Sequence, residues 1–394
     1  MRILFYLLLC MQLIASVPAS LSAQETATPT AAAQASVFRK YRGGHQDLKM
    51  PAEITDVSLA ANGRYLLIYM KSLRTVSVYD VNEARIVKDL AMATDDAMIA
   101  GGLAEMIVVN RQQNLIERWS LASLERETVK RLLIPGKVTR LDLDYDSYGP
   151  LKLSQIEGRA DLSQPRKPVF YIDLETLEEV SPPDPHLVPK LSREEQSFNS
   201  KMGYCTHPDY AVSIPYRLDD RKRFPTGENN IEHVSIFTRK PAKQLGYAEI
   251  GFMGQMKFGQ RETLITDKKR IYFIPQADQI LSIPLSNDRL HISRFELSQL
   301  LRKESPYLFV SSLPHGVCRR GQEWQYQLEL ESSSKEVAVE LSAGPEGMQI
   351  SDSGKLTWRV PEDFKSDQAV VIVSLMPQDG KTKFQNFSLE IRDQ

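Results

Sequence analysis

Cysteine is scarce, with 3 in 394 residues. No C-x-x-C pair occurs, so a thiol redox motif and a Cys-rich zinc site both lack their ligands. Net charge is nearly absent as well. The 49 Lys and Arg stand against 50 Asp and Glu, a formal charge of -1, which excludes the basic field of a protein that coats nucleic acid. Long apolar runs are confined to the first 23 residues, and elsewhere no window approaches the roughly 20 apolar residues that a spanning helix needs. Long 3.6-residue apolar periods are missing too, apart from short helical stretches expected near 192–198 and 294–303. Neither G-x-S-x-G nor H-E-x-x-H occurs. What is present is ordinary globular material, 42% hydrophobic and 25% charged, long enough for two or three domains at about 150 residues each.

The N-terminus is a unit of its own. Arg2 precedes an apolar stretch over residues 3–17, interrupted only by Gln12 and Ser16, and the small residues Ala19, Ser20, Ser22 and Ala23 follow. That order predicts a secretory signal peptide over 1–23 and an extracytoplasmic protein, periplasmic or secreted. The alternative, an uncleaved anchor, lacks a basic stop-transfer cluster. Ser20 and Ser22 suit cleavage after Ser22, whereas Leu21 sits poorly for a cut after Ala23. Cys10 lies inside the apolar run, preceded by Leu8 and Leu9, and is no lipid-attachment site. Residues 24–50 are expected as a flexible linker, small and polar through 36. After signal removal Cys205 and Cys318 remain, either as isolated buried thiols or as a pair in an oxidising compartment.

From about residue 51 to 305, strand-like runs rich in Val, Ile, Tyr and Leu alternate with turn residues. Stacking them reveals a repeat. Val76-Ser-Val-Tyr79-Asp80-Val81, Glu117-Arg-Trp119-Ser-Leu121 and Val169-Phe-Tyr-Ile172-Asp173-Leu174 each end in a small polar residue and an aliphatic one, then a polar turn and another strand. Weaker copies stand at Val234-Ser-Ile236-Phe237 and Ile280-Leu-Ser-Ile283-Pro-Leu285. A unit of about 40 to 50 residues built only of strands is the signature of a β-propeller blade. About five such units fit within 51–305, with a Pro-rich, charged insertion over 181–230 left unassigned and a six- or seven-bladed ring with eroded repeats as the rival. Asp56-Val-Ser-Leu59-Ala-Ala-Asn62-Gly63-Arg64-Tyr65 resembles the opening of a WD40/YVTN-like blade, its Asn-Gly pair supplying the positive φ that a tight turn demands.

Residues 306–394 change character. Trp324, Tyr326 and Leu328 alternate, as do Val337, Val339 and Leu341, then Leu356, Trp358 and Val360, then Phe387, Leu389 and Ile391. This predicts a β-sandwich with one buried face per sheet. Gly344-Pro345-Glu-Gly347-Met348-Gln-Ile350-Ser-Asp-Ser-Gly354-Lys-Leu356-Thr-Trp358 resembles the core motif of bacterial Ig-like, cadherin-like domains, over about a quarter of the chain. The same segment gives a false echo of a phosphate loop, with Leu356 where the hydroxyl should stand. Val78-Tyr79-Asp80-Val81-Asn82-Glu83-Ala84, Arg118-Trp119-Ser120-Leu121 and Tyr148-Gly149-Pro150-Leu151 extend the likeness. The whole arrangement resembles secreted bacterial proteins of planctomycete type that join a propeller to such a domain. The resemblance implies an all-β fold and export, and it carries no catalytic residues.

Candidate chemistry is thin. Asp142, Asp144 and Asp146 superficially have the spacing of a calcium loop but lack its Gly and its distant Glu, and alternation puts them on one face of an ordinary exposed strand, the favoured reading. The Lys303-Glu-Ser-Pro-Tyr-Leu-Phe connection carries one acid, so the last domain is expected to be metal-free. The histidines at 45, 186, 207, 233, 291 and 315 show no two at a metal-ligand spacing on one element, and Cys205-x-His207 is a weak nucleophile pair. Arg217-Leu-Asp-Asp-Arg221-Lys222-Arg223 and Asp267-Lys268-Lys269-Arg270 look like anion patches, but the acids inside them favour solvated loops. Asn386-Phe-Ser388 matches a glycosylation acceptor. No catalytic, cofactor-binding or metal-ligating residue is therefore assigned, and no cofactor is expected. The expected function is non-catalytic recognition of a protein or envelope glycan, with neither nucleic acid nor membrane insertion. The alternative is a polysaccharide lyase or hydrolase with its site in the propeller channel, and a third reading is a purely structural adhesin-like module.

Overall fold

Turn chemistry decides where the strands stop. The computed structural model describes residues 38–134, 136–156, 169–183, 192–200, 202–213, 232–254, 265–304, 306–314 and 316–393. The export signal, Cys10, the 24–36 stretch, His186, His315 and the Arg217–Arg223 cluster lie outside the described residues. Strand β1 (Gln46–Lys49) comes first in the chain and belongs to the last blade. The first blade is β2 (Asp56–Ala60), β3 (Tyr65–Met70), β4 (Thr75–Asp80) and β5 (Arg85–Ala91), antiparallel in that order. Between β2 and β3, Ala61, Asn62 and Gly63 hold φ values of 52°, 56° and 91°. Asn tolerates such angles and Gly adopts them freely, which is why the Asn-Gly pair marks the turn.

The second blade repeats the pattern with β6 (Ala97–Gly101), β7 (Glu105–Asn110), β8 (Leu115–Ser120) and β9 (Glu125–Arg131). The third has β10 (Lys137–Asp142), β11 (Leu151–Ile156), β12 (Val169–Ile172) and β13 (Glu179–Val180). Helix α1 (Arg193–Ser200) and the short strand β14 (Tyr204–Cys205) precede the fourth blade, a three-stranded sheet of β15 (Tyr210–Ser213), β16 (His233–Arg239) and β17 (Ala242–Glu249). The fifth has β18 (Ile271–Ile274), β19 (Gln279–Ser282) and β20 (Arg289–Arg294), with β1 along its outer edge. Strands β14 and β18 run parallel and pair directly, so the last sheet reads β1-β20-β19-β18-β14. The sequence repeat falls on the third strand of each of the first three blades and on the central strands β16 and β19 of the last two sheets, so its five copies are not all in phase.

Each blade buries both faces, which explains apolar runs without strict alternation. Leu66, Ile68 and Tyr79 meet Tyr272, Leu281 and Ile292 across the seam between the first and last blades. Leu67, Val76 and Val78 pack on Ile99, Met106 and Val108. Ile107 and Val109 meet Leu151 and Leu153, and Val212, Val234 and Ile236 meet Ile271, Phe273 and Ile280. Between the third and fourth blades, the Tyr145 hydroxyl donates to the Cys205 carbonyl at 3.1 Å.

One boundary differs from expectation. The linker expected over 24–50 has ended by Phe38, which is buried in the first-to-last seam with Met50, and residues 46–49 pair with β20 from Gln46↔Ile292 to Lys49↔Arg289. Gln-Asp-Leu-Lys is an edge strand, held by backbone hydrogen bonds more than by burial, so its polar sequence gave no strand signal. The basic segment 267–270 is also not a solvated loop. Arg270 is fully buried and its Nη1 donates to the carbonyls of Ile283 and Pro284 and to Asn287 Oδ1, while Lys269 pairs with Asp56 at 2.5 Å.

Helix α2 (Leu297–Leu301) leads into the C-terminal sheets. Strand β21 (Leu308–Val310) pairs with β24 (Leu330–Ser332). The larger sheet takes β22 (Val317–Arg319), β25 (Val337–Ala343), β28 (Gln368–Pro377) and β29 (Lys383–Arg392) in the order β22-β29-β28-β25. The smaller takes β23 (Glu323–Gln327), β26 (Gln349–Ile350) and β27 (Lys355–Arg359) in the order β23-β27-β26. Both share one core of Trp324, Tyr326, Leu356, Trp358, Val371, Val373, Leu389 and Ile391. Trp358 Nε1 donates to the Glu346 carbonyl at 3.1 Å, pinning the Pro345-Glu346-Gly347 turn, and Gly354 turns the chain with φ at 75°. No described helix is long and apolar enough to cross a membrane.

Candidate functional site

The turns that follow inner strands converge at one end of the propeller, and the C-terminal sheets sit over them. Asn62 Nδ2 donates to the Pro314 carbonyl at 3.2 Å. Lys40 bridges Asp278 at 3.1 Å and Glu331 at 3.3 Å. Arg392 on β29 reaches Glu105 at 3.0 Å and Glu390 at 2.9 Å, with its guanidinium 5.0 Å from the Tyr148 ring centroid. Burial raises the Glu105 carboxyl despite Arg392, and does the same to Glu390. Burial works against the Arg392 charge, yet Glu105 and Glu390 hold its pKa above the usual guanidinium value.

Between these surfaces lies a cavity of about 570 Å³. Its propeller wall is Asn62, Leu103, residues 145–149, residues 205–209 and Arg239, and its roof is Leu308, Val310, Leu313 and the 383–390 stretch of β29. The histidine and the cysteine in this wall are tied down. His207 stacks on Phe309 at 5.1 Å and lies 4.9 Å from Tyr210. Its Nδ1 accepts from the Asp209 backbone N–H at 3.1 Å, and it makes a further backbone hydrogen bond with Val310. Burial pushes its pKa down to about 4, so the ring is neutral at pH 7 with both nitrogens engaged.

Cys205 and His207 do not form a nucleophile pair. The Cys205 Sγ donates to the His207 carbonyl at 3.6 Å, not to the ring, and burial pushes the thiol up to about 12. A protonated thiol is a poor nucleophile. Cys205 and Cys318 are both free and buried. Burial also raises Tyr145 and Tyr148. Arg239 donates to the Tyr210 carbonyl at 2.7 Å and to Asn199 Oδ1 at 2.8 Å, and Lys383 donates to the Leu308 carbonyl at 2.9 Å.

The unsatisfied polar groups beside the cavity are of a different kind. Among the described residues, the Tyr148 hydroxyl and Gln385 Oε1 are buried without a hydrogen-bond partner. Asn386 lines the same cavity, and the neighbouring Phe384 is 60% exposed. Asp146 keeps solvent access, yet desolvation by the cavity wall, then Asp144, raises its carboxyl.

The expected aspartate strand face is not there. Strand β10 ends at Asp142, so Asp144 and Asp146 belong to the following loop, and only Asp146 of the three lines the cavity. The turn residues break the alternation that placed all three side by side. The histidines judged scattered are partly assembled. His45 and His291, 246 positions apart in the chain, lie with ring centroids 5.6 Å apart on either side of Asp47. The His45-x-Asp47 alternation was the available signal, obscured because its strand read as linker.

No protein-family model matches the chain, and no curated protein matches it in sequence. Several solved structures are similar in part. The β-propeller domain of Cps50 (Swd1) from Myceliophteria thermophila is 10% identical with a TM-score of 0.26, over 61% of this chain and 64% of that domain. The chain thus spans less than two thirds of that domain's length. Hsv2 from Kluyvelomyces marxianus is 8% identical at TM-score 0.30, over 62% of this chain and 76% of that one. Kuenenia stuttgartiensis hydrazine synthase is 11% identical at TM-score 0.27, over 88% of this chain and 69% of that one.

Proposed function

We propose that this is an exported, non-catalytic binding protein of the cell envelope, which takes a protein or glycan partner into the cavity between propeller and C-terminal sheets. The observation that carries the proposal is the division of labour among the cavity side chains. His207 and Cys205, the pair that could act as base and nucleophile, are locked into the structure, with His207 neutral and both of its nitrogens engaged and Cys205 protonated. The groups left to meet a ligand are a phenol, an amide oxygen and aromatic surface. Neutral hydrogen-bonding groups beside aromatic rings suit a sugar or a peptide segment. The C-terminal sheets we read as Ig/cadherin-like, from the Gly344–Trp358 motif and the single core shared by two sheets.

The test is a pull-down from envelope extract and a glycan array, run beside a polysaccharide-cleavage assay, with wild type and Tyr148→Phe. Retention of a partner, weakened about tenfold or more in Tyr148→Phe and without cleavage, is the expected result. Cleavage without retention sinks the proposal. One observation favours the enzymatic alternative: Asp146 and Glu390 line the same cavity and both carboxyls are raised, the direction a general acid requires. Under that alternative Asp146→Asn abolishes cleavage.

A further inference from the structure

The cluster at the outer edge of the last blade has a chemistry of its own. Asp47 on β1 pairs directly opposite His291 on β20, and His45, in the bend just before β1, lies against Ser293 of β20. His291 Nδ1 lies 2.6 Å from Asp47 Oδ1, and His45 Nε2 lies 2.9 Å from that same oxygen. The three ligand atoms all fall within 4.8 Å of one another. Ligand bonds of roughly 2.0–2.2 Å around a tetrahedral zinc ion set ligand atoms about 3.3–3.5 Å apart, so small side-chain rotations bring these three into register.

The far side of every ligand is already held. His45 Nδ1 meets Ser293 Oγ at 3.1 Å, and His291 Nε2 meets the Phe252 carbonyl at 3.0 Å. Asp47 Oδ2 accepts from Arg289 Nη1 at 3.3 Å, and Arg289 is itself paired with Asp288 at 2.7 Å. A carbonyl behind one imidazole and a hydroxyl behind the other are the outer partners that fix the tautomer of metal-binding histidines. A carbonyl can only accept, so His291 Nε2 donates to Phe252, and the 2.6 Å contact of Nδ1 with Asp47 Oδ1 holds a second proton, in the place a metal ion would take. Gly251 is part of this arrangement. A Cβ there would stand 2.3 Å from His291 Cγ, so only glycine lets the 250–253 segment lie against the ring and aim the Phe252 carbonyl at it.

We propose that His45, Asp47 and His291 bind a divalent transition-metal ion of the zinc class, fastening β1 to β20. Two imidazoles and one carboxylate suit such an ion and disfavour calcium or magnesium, which prefer all-oxygen sites. His45 and Asp47 are exposed and His291 is buried, so the ion enters from solvent and keeps a water in its fourth position. Its consequence is mechanical. Strand β1 is the first of the described strands and β20 the last of the propeller, and the ion adds a link across the join.

The experiment uses the full chain, stripped by a chelator and reloaded with Zn²⁺ or Co²⁺. One equivalent of zinc by elemental analysis, the intense visible bands of four-coordinate cobalt, and a rise in melting temperature on reloading are expected. His45→Ala changes an exposed residue and should leave the fold intact while lowering zinc affinity at least 100-fold. Ser293→Ala should lower it about tenfold by releasing the His45 ring. Wild type that gives no cobalt bands, or that binds zinc no more tightly than His45→Ala, overturns the proposal. Both readouts are independent of any ligand in the cavity.

Discussion

His207 shows how far burial changes one side chain. Its pKa is pushed down to about 4, against about 6.5 for an exposed histidine, so the unfolded chain binds more protons than the folded one between those values. The stability this neutral ring contributes is complete above about pH 6.5 and is lost as pH falls toward 4, up to roughly 3 kcal/mol. Urea unfolding at pH 7 and at pH 5 should show the fall, and His207→Gln should flatten it. An unchanged slope in that variant refutes the assignment. Gly63 is a second sensitive point, with φ at 91° and a hypothetical Cβ 2.2 Å from Thr206 Cγ2. Thr206 cannot yield easily, since its hydroxyl donates to Gln276 Oε1 at 2.5 Å. Gly63→Ala is expected to cost about 2 kcal/mol or more, read as a lower urea midpoint with unchanged slope.

Among the elements, β1 and β29 carry loads their sequences understate. Removing residues 38–50 uncovers Tyr272, Leu281 and Ile292 at the first-to-last seam and leaves β20 as an open edge. The truncated chain should aggregate where full-length protein stays monodisperse in size-exclusion chromatography. On β29, Arg392 is the shared partner of Glu105 and Glu390. Arg392→Met strands the buried Glu105 carboxylate and is expected to cost about 3–5 kcal/mol at pH 7. The raised Glu105 pKa gives the sign of its pH dependence. A carboxyl that binds its proton more tightly when folded favours folding as pH drops through the raised value, so the Arg392→Met defect should shrink in acid.

At the scale of the whole molecule, the propeller and the C-terminal sheets share structure. Phe309 of β21 is 1% exposed and belongs to the core of the fourth and fifth blades, not to the core of its own sheets. Calorimetry should therefore show one cooperative unfolding transition for both parts, and two resolved transitions would contradict this. Phe309→Ala is expected to cost about 3–5 kcal/mol and to split the transition.

The sequence by itself determined the local rules: all-strand content, the Asn62-Gly63 turn, the two short helices, and the inward alternation of Trp324 and Tyr326 or Leu356 and Trp358. These follow from torsion angles and period-two burial, which act over a few residues. The near-zero net charge belongs there too, since no concentrated field had to be placed anywhere. Only the tertiary structure decided that Gln46–Lys49 closes the last blade, that Arg270 is buried, that Asp146 leaves its strand to line a cavity, and that His45 and Asp47 meet His291. The reason is physical. An edge strand, a buried cation and a histidine pair 246 positions apart are stabilised by partners distant in the chain, and no local pattern of polarity encodes a partner that only the tertiary fold brings near.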